Sequence, residues 1–77
     1  MKKYKINYEY IRFILKLNRI SAKDLAEQIG IKRQTLYYWK AHGTTLDNIQ
    51  VITYYLNKNF GLNLDYTELI ECEINDN

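Results

Sequence analysis

The chain contains no proline, three glycines, one cysteine (Cys72), one histidine (His42) and one serine (Ser21). Each shortage removes a class of protein. A lone thiol cannot staple a fold, so a disulfide framework is excluded and a reducing cytoplasm is the simplest setting. No two His or Cys residues sit at ligand spacing, so neither a metal site nor a cofactor is expected. A nucleophile, a base and an orienting acid could be assembled only by using nearly every candidate in the chain, and an enzyme is not expected. No run approaches the roughly 20 apolar residues of a membrane span. The start, Met1-Lys2-Lys3-Tyr4, lacks the apolar stretch of a signal peptide, so no membrane partner is expected. With neither proline nor a low-complexity linker, the chain reads as consecutive helices joined by short turns.

What is present is enough for one core. Of 77 residues, 47% are apolar, which predicts a single domain over 1–77, since a second core could not be built from the remainder. A domain of this size is marginally stable, and a dimer contact would help it. Charge is unevenly placed. Residues 1–45 hold ten Lys or Arg against three acids, a net +7, whereas residues 46–77 hold Lys58 against six acids, a net −5. A basic half is the footprint of a surface that meets phosphates, although solvated helix faces carry charge too.

Local signals mark the helices. Asn7 can cap a first helix running to about Asn18, with Ile11, Ile14 and Leu15 inward and Lys16 and Arg19 at the end where the helix dipole favours cations. Ser21 followed by Asp24 approximates a capping box and opens a helix over about 22–29, with Leu25, Ala26 and Ile29 inward. Gly30 ends it. Ile31 anchors a turn into a third helix over about 33–41 with Leu36 and Trp39 inward. Thr44 or Thr45 can cap a fourth from about Leu46, striped by Ile49, Ile52, Leu56 and Phe60 and stopped at Gly61. A C-terminal extension, 61–77, should hold a short fifth helix at about 65–70, packing Leu69 and Leu64.

Two short helices separated by Gly30-Ile31 have helix-turn-helix geometry over about 21–41, in which the second helix enters the major groove. The segment Ser21 to Trp39, SAKDLAEQIGIKRQTLYYW, resembles the phage-repressor (Cro/cI, XRE-type) helix-turn-helix family. The likeness is carried by Leu25-Ala26, Ile29-Gly30-Ile31, Thr35-Leu36 and Trp39, and extends over about residues 6–70. It implies an all-α, five-helix, lambda-repressor-like domain that binds double-stranded DNA, acting as a homodimeric repressor or Cro-like switch. It also implies that Arg33, Gln34, Tyr37 and Tyr38 contact bases, and their chemistry agrees. Arg offers two donors to guanine, Gln a donor and an acceptor to adenine, and a tyrosine can touch thymine methyls. The family's phosphate contacts fall on Ser21, Ala22, Lys23, Lys32, Lys40, His42, Thr44 and Thr45. The first three lie at a helix start, where backbone N–H groups favour an anion.

Several positions depart from the family pattern. Lys32 stands where a Ser or Thr cap is usual. An Arg–Glu pair that often ties the first helix to the end of the recognition helix is replaced by Leu15 and Lys40, which should release Lys40 to face DNA. The Ala41-His42-Gly43 loop and the Asn57–Gly61 stretch are longer than usual. A second function class stays open, a protein-binding module of a mobile element that reuses the fold as an antitoxin or as an inhibitor of a host defence complex. Finally, Lys3-Tyr4-Lys5-Ile6 and Glu71-Cys72-Glu73-Ile74 alternate with period two, the pattern of strands. Pairing them would set Lys opposite Glu, line one apolar face with Tyr4, Ile6, Cys72 and Ile74, and shield the Cys72 thiol. A basic arm and an acidic tail are the competing expectation.

Overall fold

Asn7, Ser21 and Thr45 each precede an apolar-periodic run, and in the computed structural model, which describes residues 2–75, each caps a helix. The Asn7 side-chain oxygen accepts from the Tyr10 N–H at 3.2 Å, Ser21 Oγ from the Asp24 N–H at 3.0 Å and Thr45 Oγ1 from the Asn48 N–H at 3.4 Å. Each satisfies an N–H that the helix itself leaves unpaired. The helices that follow are α1 (Tyr8–Leu17), α2 (Ala22–Gln28), α3 (Arg33–His42) and α4 (Leu46–Phe60). Lys32 precedes α3 without a side-chain cap, as its lack of an acceptor dictates. The expected fifth helix is a single 3-10 turn, Tyr66–Leu69, so the described residues form four α-helices and not five. The chain enters a strand at Ile70, which leaves no length for α-helical bonding after the Asp65 N–H has bonded the Glu68 carboxylate at 2.8 Å.

The helices are held by a core to which every element contributes. Ile6, Ile11, Leu15, Leu25, Ala26, Leu36, Ile49, Ile52, Leu56 and Leu69 are fully buried, and Ile14 and Trp39 nearly so. Each large aliphatic side chain so buried contributes about 1.5–3 kcal/mol. Ile29, Phe60 and Leu64, expected inward, are only half-buried at the rim. Asn57 clasps the connection after α4, its oxygen accepting from the Leu64 N–H at 2.8 Å and its nitrogen donating to the Leu64 carbonyl at 3.0 Å.

The chain ends pair. Strand β1 (Lys2–Ile6) runs antiparallel to β2 (Ile70–Asn75), with the register Lys3↔Ile74, Tyr4↔Glu73, Lys5↔Cys72 and Ile6↔Ile70 and an irregularity between Lys5 and Ile6. The expected face is thereby corrected. Residues directly opposite share a face, so Tyr4 lies across from Glu73, Lys5 from Cys72, and Cys72 is exposed. Charge pairing runs diagonally instead, Lys2 Nζ to Glu73 Oε2 at 3.4 Å. The other edge of β1 is occupied by the loop after α3. The Tyr4 N–H donates to the Thr44 carbonyl at 2.8 Å, and the Thr44 N–H donates back to Tyr4 at 2.9 Å. Gly43 makes this approach possible: a Cβ there would sit 3.2 Å from both Ile74 Cδ1 and Lys3 Cβ. Its φ of 83° and ψ of 170° are open only to glycine.

Candidate nucleic-acid interface

Helix α3 is amphipathic in the sense that matters for a groove reader. Leu36 and Trp39 are buried against the bundle, while Arg33, Gln34, Tyr37 and Tyr38 are exposed, both tyrosines at 55%. Arg33, Gln34 and Tyr37 line one shallow depression on the outer face of the helix. The turn from α2 into α3 is fixed by the Ile31 N–H, which reaches back to the Ala26 carbonyl at 2.9 Å, with Gly30 at a φ of 80°.

Two of these side chains are braced. The Tyr37 ring stacks on that of Tyr8 from α1, centroids 5.5 Å apart and planes 15° apart. Lys40 Nζ lies over both rings, 5.5 Å from Tyr8 and 5.2 Å from Tyr37, and Arg12 approaches the Tyr8 ring at 5.9 Å. Lys40 is therefore not released as its loss of an acidic partner suggested. It is half-buried and held by two aromatic faces, an attraction of about 0.5–1 kcal/mol per ring at such sites. Tyr38 stacks instead on exposed His42, one turn along α3, at 4.3 Å.

The positions expected at the phosphates divide. Lys23, Lys32, His42 and Thr45 are exposed. Ala22 and Thr44 are buried, at 7% and 5%. The Thr44 hydroxyl accepts from Asn48 Nδ2 at 2.7 Å while its backbone bridges Tyr4, so it anchors the loop and offers no side chain outward. At the start of α2 the Ser21 hydroxyl and N–H donate to the Asp24 carboxylate at 2.8 and 3.2 Å. These two bonds, the hydroxyl's first, hold the Asp24 pKa below its ordinary value of 3.8, with a smaller contribution from the Lys23 charge. A carboxylate thus already occupies the helix start where an anion was expected.

Three cations missed in the sequence lie beside this face. Arg12, Lys16 and Arg19, with Lys23 and Arg33, line a cleft of about 430 Å³ between α1 and the start of α2. Arg12 and Lys16, four residues apart, share one side of α1, which was the available signal, whereas Arg19 lies past the helix end with a left-handed backbone that periodicity does not reveal.

A family model described as the Cro/C1-type HTH DNA-binding domain matches residues 11–61, from within α1 to just past α4. The chain belongs to that family. Among curated proteins and among solved structures nothing matches. The Cro/C1-type domain here is a DNA-binding helix-turn-helix formed by α2 and α3, to which the sheet of β1 and β2 is joined through Thr44. Among the described residues no group of His, Cys, Asp and Glu could hold a metal ion, and no helix is long and apolar enough to cross a membrane.

Proposed function

We propose that the protein is a sequence-specific transcriptional regulator, a repressor or Cro-like switch, that lays α3 in the major groove of its operator. The observation that carries this reading is the exposure of Arg33, Gln34 and Tyr37 side by side on α3, over an inner face packed by Leu36 and Trp39. Arg33 would donate two bonds to a guanine edge and Gln34 would donate one and accept one at an adenine edge, with Tyr37 and Tyr38 making apolar or phosphate contacts. Lys23, Lys32, His42 and Thr45 would meet the backbone, which fixes register without reading sequence. Exposed apolar side chains on α4, Val51 and Tyr54 one turn apart, favour a second copy as partner, and a dimer would read two half-sites.

The test is selection of bound duplexes from a random pool by the full chain and by Arg33→Ala. The wild type should return one motif. The variant should lose about 1–3 kcal/mol on it and relax a single base position. A pool without enrichment would contradict sequence-specific binding.

A further inference from the structure

Five cations line the cleft between α1 and α2, Arg12, Lys16, Arg19, Lys23 and Arg33, and only Arg33 has a part in base reading. Among the described residues none that line it carries a carboxylate, and the nearest acid in sequence, Asp24, is turned onto Ser21. Uncompensated cations gathered at one place repel each other, so their natural complement is a polyanion. Arg33 belongs both to this cleft and to the depression it forms with Gln34 and Tyr37, so the two surfaces are continuous.

The backbone of Arg19 adds an independent sign. Its φ is 59°, in the left-handed region, just beyond the end of α1. Glycine or asparagine is the usual occupant of such a position, because a Cβ there is strained. A long cationic side chain stands where glycine or asparagine would be the usual occupant.

We infer that Arg12 and Lys16 on α1, with Arg19 just past its end, form a second DNA contact, a track for the phosphates of one strand running away from the start of α3. This rests on the reading that α3 meets duplex DNA. The dimensions agree. From Arg12 to its end at Leu17, α1 rises about 7.5 Å, and a strand of B-form DNA advances about 3.4 Å per nucleotide, so with Arg19 just beyond that end the track reaches roughly three phosphates. These contacts carry no sequence information and act through counterion release alone.

The test is the salt dependence of binding by the full chain to its selected duplex and to a random one. The triple variant Arg12→Gln, Lys16→Gln, Arg19→Gln should give a log–log slope shallower by about two to three, since each phosphate contributes about 0.9. Both duplexes should weaken by the same factor, leaving the site preference intact. Lys58→Gln, on the exposed side of α4, should leave the slope unchanged. Arg19→Gly should melt no lower than the wild type while flattening the slope by about one, a combination that a purely structural Arg19 would not produce. A triple variant as steep as a steep wild type would overturn the track alone, as would equal flattening by Lys58→Gln. A wild type that binds no duplex at any salt would overturn the reading of α3 and the track with it.

Discussion

At the scale of single residues, what a side chain does is decided by what its neighbours leave free. Lys40 illustrates this. From the sequence it is a cation without its acidic partner; in the fold it lies over Tyr8 and Tyr37. Tyr8 is 8% exposed and out of reach of a groove, so it works by positioning Tyr37. Tyr8→Leu should keep most of the volume but remove the stack. Base preference at the position Tyr37 reads should relax, while the response to salt stays nearly as before; selection from a random pool and salt titration separate the two. Asp24 gives a pH prediction. Its folded pKa lies below the unfolded one, so the ionised carboxylate favours the fold. That contribution is present above about pH 4 and is lost as pH falls through the folded value. An NMR titration should show the Asp24 carboxyl ionising below its ordinary range, and Ser21→Ala should return it toward that range. A carboxyl that titrates identically in both proteins would mean the Ser21 bonds do not form in solution.

Elements show where local chemistry suffices and where it does not. Four helices, their caps and their inward stripes were legible because a cap and a 3.6-residue period need only a dozen neighbouring residues. Leu36→Ala should accordingly cost about 2–5 kcal/mol, read from thermal or denaturant melts. The sheet was legible only as alternation. Four residues cannot fix a register, and a shift by one moves every side chain to the other face, which is how Cys72 came to be exposed. The folded protein should therefore react with a thiol reagent without unfolding. Thr44 was misjudged for a related reason: whether a loop hydroxyl faces water depends on Tyr4, far away in sequence, bridging to its backbone. The same bridge makes a prediction at Gly43. An alanine there meets both a forbidden backbone region and Ile74 and Lys3 at 3.2 Å, so Gly43→Ala should destabilise by at least about 1–3 kcal/mol. A melting temperature equal to the wild type's would show that the loop does not close on β1.

For the whole molecule, the arrangement joins the helix proposed to read bases to the strands near both ends of the chain. Strand β1 is hydrogen-bonded to β2 on one edge and to the loop after α3 on the other, so the sheet steadies the C-terminal end of the helix proposed to enter the groove. The uneven charge of the sequence acquires a place in this arrangement. Its cations gather around α1 and the starts of α2 and α3, while Glu71 and Glu73 lie exposed on β2. A duplex approaching along the cationic side would reach Arg33, Gln34 and Tyr37 together with Arg12 and Lys16. The most direct measurement is a map of amide and side-chain NMR shifts on titrating the full chain with its selected duplex at moderate salt. Binding through α3 predicts the largest changes at Arg33, Gln34, Tyr37 and Tyr38, smaller ones at Arg12, Lys16, Arg19 and Lys23, and quiet signals from Val51, Tyr54 and Lys58 on the first half-site bound. Changes confined to α4 and β2, with α3 silent, would contradict it.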